Sequence, residues 1–268
     1  MQCKEPATSE GQQPAGEAIP QLNDNHRPLV GPFNITGLEA LAGILGPVAM
    51  FVSESVAALS TPGYSMIRQT ISSLAWTKLG WVQTIGFLAM GLMMEMYVFG
   101  LLLNVLPRRG FRISALLLVL SGFGLLMIGA FHCDVSGTLT ATLQGRIHGI
   151  VSQGVFGVFP IATLLISFSL RHDARWRRLH LYTIITAATG LVLIGAVKLA
   201  TDIGWSGGFE RLLVLNMISW VEVTAIQLLR LSLGRESGRP TSIPRARLTT
   251  PDGCDGNAVL SDVRIREL

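Results

Sequence analysis

Residues 81–106 read WVQTIGFLAMGLMMEMYVFGLLLNVL, and Glu95 is the only charged side chain among them. A helix rises 1.5 Å per residue, so this stretch is long enough to cross the roughly 30 Å hydrocarbon core of a bilayer. Comparable apolar blocks lie at 38–59, 113–131, 147–170, 179–200 and 211–233. The sequence therefore predicts an all-α, polytopic membrane bundle of six transmembrane helices.

The composition of the whole chain supports this class. Hydrophobic residues make up 49% and charged residues 14% of the 268 positions, whereas a soluble domain carries about 25% charged residues. A soluble enzyme, a disordered chain and a disulfide-rich secreted module are therefore excluded. The three cysteines are scattered and form no metal-binding motif. Basic residues cluster beside apolar blocks, so the expected partners are membrane lipids and not nucleic acid; a protein partner or homo-oligomer is left open.

Lys and Arg residues are distributed unevenly between the two sides of the predicted bundle. Sixteen of the 21 fall on the side that carries both termini, and four fall on the other side. The protein is predicted to lie in the plasma membrane. By the positive-inside rule, both of its termini are predicted in the cytoplasm. Disordered cytoplasmic tails are predicted at 1–37 and 234–268, around a transmembrane domain at 38–233. The connections with the most varied polar residues then face outward.

One of those outward connections, together with the start of the fourth span, contains a set of side chains that suits a metal. His132, Asp134 and His148 lie within 17 positions, and two imidazoles with a carboxylate are ligands of catalytic zinc sites. The spacing matches no compact metal motif. The alternative is a polar cluster at the membrane boundary in which Asp134 pairs with Arg146 or caps the loop. Zinc is therefore a possible cofactor on the first interpretation only.

The connection between the first two spans reads TPGYSMIRQTISSLAW, residues 61–76. Ile67, Ile71 and Leu74 recur at helical spacing, which predicts an amphipathic helix on the bilayer surface. An arginine such as Arg68 can bind a lipid phosphate or carboxylate through its planar fork. The alternative pairs Arg68 with an aspartate of another connection.

These connections supply the candidate site residues. A serine hydroxyl, Ser72 or Ser73, would be a nucleophile if His148 lay within hydrogen-bond reach. The candidate catalytic residues are Ser72, Asp134 and His148. The candidate ligand-binding residues are Tyr64, Arg68, Arg146 and Arg211.

Charged residues inside the predicted spans open a second functional hypothesis. Glu95 and Glu222 lie in the middle of their spans, and Lys198 lies nearer an end. Such groups are costly in a membrane and occur in transporters. The sequence thus leaves three hypotheses: an outward polar pocket that binds or modifies a lipid headgroup, a transporter of a small solute or ion, and a structural or accessory subunit.

The chain also resembles the six-span bacterial and archaeal membrane family catalogued as domain of unknown function 998. The likeness covers about residues 40–232 and rests on short motifs in order, namely Pro62-Gly63-Tyr64-Ser65, Arg68, Ile71-Ser72, Leu74, Gly80-Trp81, Phe131, Asp134, His148-Gly149 and Trp176-Arg177-Arg178. The chain has Ser73 where members often carry an acidic residue and His132 where they often carry a proline. Because the family has no established activity, the resemblance implies topology and a shared set of outward polar residues, not a reaction.

Overall fold

The computed structural model describes residues 34–107, 110–135 and 141–237, and every regular element in these ranges is helical. Six of the helices are long and apolar enough to cross a membrane. They are α1 Ile35–Leu59, α2 Gly80–Asn104, α3 Phe111–Ala130, α4 Leu143–His172, α5 His180–Asp202 and α6 Ser206–Ser237. The predicted all-α bundle of six spans is confirmed.

The helical region extends slightly beyond the predicted transmembrane domain. The first helix begins at Ile35, where Asn34 caps it by accepting a hydrogen bond from the Gly37 N–H at 2.6 Å. The last helix continues to Ser237. The remainder of both predicted tails lies outside the described residues.

The six helices pack in chain order into a closed ring, in which α6 returns to contact α1. Tyr97, Leu118 and Trp220 are fully buried between them. Other large apolar side chains point outward, among them Leu92 and Val192, which are 59% and 71% exposed. A contiguous apolar exterior is unfavourable in water but suits contact with lipid tails.

The segment between α1 and α2, which we call the 60–79 connection, is not the predicted amphipathic helix. It consists of turns followed by a short 3-10 helix, Ser72–Trp76. Ile71 and Leu74 are buried in the protein, whereas Ile67 is half exposed. The prediction was wrong because side chains of distant elements, above all Arg211, bind the backbone carbonyls that a helix would otherwise have satisfied internally.

At the opposite end of the bundle, the short connection between α4 and α5 is tied to its neighbours. Asp173 is 2% exposed and forms an ion pair with Arg175 at 2.8 Å. Arg175 also donates to the carbonyl of Asn104 at the end of α2. Its own carbonyl accepts from Gln227 of α6 at 2.9 Å. The end of α2, the connection between α4 and α5, and α6 are therefore joined at this end of the bundle. The longer 60–79 connection lies at the opposite end.

Candidate functional site

Ser72 and His148, which are far apart in the chain, lie in hydrogen-bond contact. The hydroxyl oxygen of Ser72 is 3.0 Å from Nε2 of His148. The other ring nitrogen, Nδ1, is 2.7 Å from the backbone carbonyl oxygen of Phe131. A carbonyl oxygen only accepts, so neutral His148 donates from Nδ1 and accepts the Ser72 hydroxyl proton at Nε2. In this arrangement a histidine can act as a general base toward a serine.

Three separate elements place these groups. Ser72 is the first residue of the 3-10 helix, His148 lies in the second turn of α4, and Phe131 directly follows the last residue of α3. His148 is 6% exposed, and the bond to Phe131 fixes the orientation of its ring. The contact between Ser72 and His148 therefore depends on how the 60–79 connection, the end of α3 and the start of α4 pack together.

Cys133 joins two of these segments. Its thiol donates to the Ser72 carbonyl, with 3.3 Å between sulfur and oxygen. Its own carbonyl accepts from the indole N–H of Trp76 at 2.7 Å. Burial raises the pKa of the Cys133 thiol, and the nearby carboxylates add a smaller effect in the same direction. The thiol therefore stays protonated at neutral pH and serves as a hydrogen-bond donor here.

A cavity of about 490 Å³ opens beside this pair. It lies between the 60–79 connection and helices α4, α5 and α6. Its polar side chains include a cation and a carboxyl group in addition to the serine and histidine, and they are Thr70, Ser72, Cys133, His148, Ser152, Gln153, Lys198 and Glu210. Glu210 is 7% exposed and accepts a hydrogen bond from the Ile71 N–H at 3.3 Å. We call this space the polar cavity.

A second, narrower space of about 50 Å³ lies beside it, among the side chains of the bundle interior. We call it the apolar slot, because its walls are mostly methionine, phenylalanine and branched aliphatic side chains, among them Met90, Met94, Phe159 and Met217. The two spaces share four lining residues, Ser72, Ser152, Phe156 and Glu210. Methionine side chains are flexible, so a slot with these walls can widen around a guest.

Arg211 and Tyr64, both predicted to bind a ligand, contact each other and the 60–79 connection. Arg211 forms an ion pair with Glu54 at 2.6 Å and donates to the Tyr64 hydroxyl at 2.6 Å. That hydroxyl donates to the Thr70 carbonyl at 2.7 Å. Burial raises the pKa of Tyr64, although the Arg211 hydrogen bond acts in the opposite direction. Both side chains hold the connection in place; contact with a ligand stays a prediction for them.

The three predicted metal ligands do not converge. His132 contacts the Thr84 hydroxyl at 3.1 Å and the Gln144 amide at 3.2 Å. Asp134 accepts from the backbone N–H and hydroxyl of Thr142, the residue that caps α4. In the part of the chain that the structure describes, no three His, Cys, Asp or Glu side chains form a group able to hold a metal. The geometry thus favours the loop-capping alternative for Asp134.

The remaining predicted residues occupy other positions at this end or within the spans. Arg68 and Arg146 are exposed to solvent. Glu95 lies against Gly122 of α3, and its buried Oε1 has no hydrogen-bond partner among the described residues. Glu222 is half-buried, and neither glutamate lines the polar cavity or the apolar slot. The transporter hypothesis therefore gains no support from these two spaces.

Sequence reasoning missed several members of the site, among them Thr70, Ser152, Gln153 and the Phe131 carbonyl. Ser152 lines both spaces, and its buried hydroxyl oxygen has no partner among the described residues. A serine inside an apolar helix gives no signal that separates it from ordinary helix packing. The role of the Phe131 carbonyl could not be predicted either, because every residue has a backbone carbonyl.

The fold and its lipid-facing exterior define the class: this is a multi-pass integral membrane protein. Within that class, residues 44–227 match the family described as protein of unknown function DUF998. The match spans more than half of the chain, so the protein belongs to this family, as the sequence motifs indicated. Comparison with curated proteins and with solved structures gives no match.

Proposed function

We propose that this protein binds a membrane lipid, with the polar headgroup in the polar cavity and an apolar portion directed into the slot. The observation that carries the proposal is that the two spaces share a wall, formed by Ser72, Ser152, Phe156 and Glu210. A polar cavity alone would suit a free solute. A polar cavity directly beside an apolar one suits an amphiphile, because each part of the guest finds matching walls.

The position of the cavity favours a guest that arrives through the bilayer. Gly149 and Gln153 of α4 and Ile194 and Val197 of α5 line it, and both helices are membrane spans. Gln153 is exposed on the bundle surface, and a side-chain carbon at Gly149 would meet nothing nearby. A lipid therefore enters between α4 and α5 without leaving the membrane.

The cations at this end suit an anionic headgroup. Lys198 lines the polar cavity, while Arg68 and Arg146 are exposed at the same end of the bundle. Ammonium and guanidinium groups bind phosphate through charge-assisted hydrogen bonds. The lopsided distribution of Lys and Arg along the sequence supports an outward-facing site in the plasma membrane, with both termini in the cytoplasm.

A photocrosslinking experiment tests the binding. The full chain is reconstituted in vesicles that contain phosphatidylglycerol with a diazirine on one acyl chain, and the crosslinked residues are mapped by mass spectrometry. We expect crosslinks to slot residues such as Met90 and Met217. The variant Ser152→Phe should remove them, because a phenyl ring there fills the junction between the two spaces.

The matched control places the same ring outside the site. Ile150 lies two residues from Ser152 on α4, is 71% exposed and lines neither space. The variant Ile150→Phe should therefore keep the slot crosslinks. Crosslinks confined to lipid-facing positions such as Leu92, unchanged by Ser152→Phe, would show that no lipid occupies the bundle.

A further inference from the structure

We infer that Ser72 is a nucleophile activated by His148, and that its substrate is the carboxylic ester of a membrane lipid. The inference rests on the proposed function, since the ester must first enter the polar cavity. It goes further, because it assigns a covalent acyl-transfer reaction to a site that would otherwise only bind.

The depth of Ser72 selects the ester among the parts of a lipid. In a glycerophospholipid the ester carbonyls lie between the charged headgroup and the hydrocarbon chains. Ser72 likewise lies between two environments, since it lines both the polar cavity with Lys198 and the apolar slot with Met90 and Met217. A lipid with its headgroup in the cavity and the start of its chain in the slot presents its ester at the Ser72 hydroxyl.

The hydrogen bonds of His148 favour catalysis over simple packing. Its Nδ1–H is directed to the Phe131 carbonyl, which leaves the Nε2 lone pair facing Ser72 Oγ at 3.0 Å. A nucleophile, a base and a third group that orients the base are the three parts of an activated serine. Ser72 also lines the polar cavity, which gives an incoming ester a route to this residue.

The reaction proceeds in two balanced steps. Ser72 Oγ attacks the ester carbonyl carbon while its proton moves to His148 Nε2; the bond to the lipid alcohol then breaks, and the alcohol leaves with that proton. Water next attacks the acyl-serine, passes a proton to Nε2 and releases the fatty acid as the proton returns to Ser72. The negative charge that develops on the carbonyl oxygen needs N–H donors, and the Lys198 ammonium and Gln153 amide carry N–H groups on the walls of the same cavity.

Labelling with an alkyl fluorophosphonate tests the inference on the full-length protein in vesicles. This probe forms a bond from serine oxygen to phosphorus and releases fluoride, and it labels only activated serines. We expect one adduct, mapped by mass spectrometry to Ser72. Ser72→Ala should abolish it, and His148→Gln should slow it by about 10²-fold or more, as for loss of a general base.

Ser73→Ala is the matched control, because Ser73 is the next residue in the same helix and its hydroxyl donates to the Thr70 carbonyl. It should label at the wild-type rate. Absence of a Ser72 adduct in the wild-type protein, or an adduct on Ser152 instead, would overturn the inference whatever the variants do. If lipid still crosslinks in the slot in that case, the binding proposal stands and only the chemistry fails.

Discussion

At the scale of single residues, Arg211 explains how an irregular connection holds Ser72 in contact with His148. Its Nη1 lies 2.6 Å from the Met66 carbonyl and 2.8 Å from the Gln69 carbonyl. Its guanidinium also lies over the Tyr64 ring, 5.6 Å from the centroid. The planar fork thus donates from three separate nitrogens, whereas a lysine ammonium has a single nitrogen to reach the same acceptors. The position of Ser72, a few residues further along, depends on this anchoring.

Arg211→Lys should lower the free energy of unfolding by about 2 kcal/mol, the typical cost of losing hydrogen bonds from a charged donor. Thermal unfolding of the purified protein in detergent measures the change. The exposed Arg146, replaced by Lys in the same way, should change stability by less than about 0.5 kcal/mol. Equal stability of the two variants would show that the guanidinium does not anchor the connection.

At the scale of elements, the two ends of the bundle differ in how their connections are built. The connection from α4 to α5 is short and carries Asp173, whose carboxylate accepts from the Arg175 side chain and from the Leu106 backbone N–H. The Arg175 hydrogen bonds lower the pKa of Asp173 below its ordinary value of 3.8, despite the opposing effect of burial. The hydrogen bonds at this end hold the neighbouring helices together. The polar cavity lies at the opposite end.

The lowered pKa of Asp173 gives stability a defined pH dependence. A carboxyl whose pKa is lower in the folded state stabilises the protein above its unfolded pKa, and this contribution is lost as pH falls through the folded value. Asp173→Asn should therefore be about 2 kcal/mol less stable than wild type near neutral pH, and the difference should shrink below about pH 4. Unfolding measured across pH checks this.

The control for that experiment is Arg171→Gln, a change at an exposed charged position near the same connection. It should follow the wild-type pH profile. A difference between Asp173→Asn and wild type that stays constant from neutral to strongly acidic pH would contradict the role of the ionised carboxylate.

At the scale of the whole molecule, the spans could be predicted because apolar length does not depend on tertiary contacts. The apolar block 81–106 corresponds to α2, Gly80–Asn104. The 60–79 connection could not be predicted, since its conformation is set by Arg211, 145 positions from its partner Met66. Helical spacing of Ile67, Ile71 and Leu74 therefore gave the wrong structure.

The two central side chains of the candidate site could be predicted, but its assembly and its other members could not. Ser72 and His148 were both named from the sequence, with their contact stated as a condition, and the structure meets that condition. The sequence also allowed a metal site with His132 and Asp134, because residue type alone does not show which groups converge. Only the packing of α3 against α4 separates a histidine held by a carbonyl from one that is free to bind zinc.

The orientation of the whole bundle decides whether the site faces outward, and cysteine labelling tests it. In a variant with all native cysteines replaced by serine, Ser65→Cys marks the end with the polar cavity and Arg177→Cys marks the other end. We expect a membrane-impermeant maleimide to label Ser65→Cys in intact cells, and Arg177→Cys only after permeabilisation, because arginine-rich connections stay on the cytoplasmic side. The reverse pattern would place the cavity toward the cytoplasm; since lipid esters occur in both leaflets, the Ser72 chemistry would then act on the inner one.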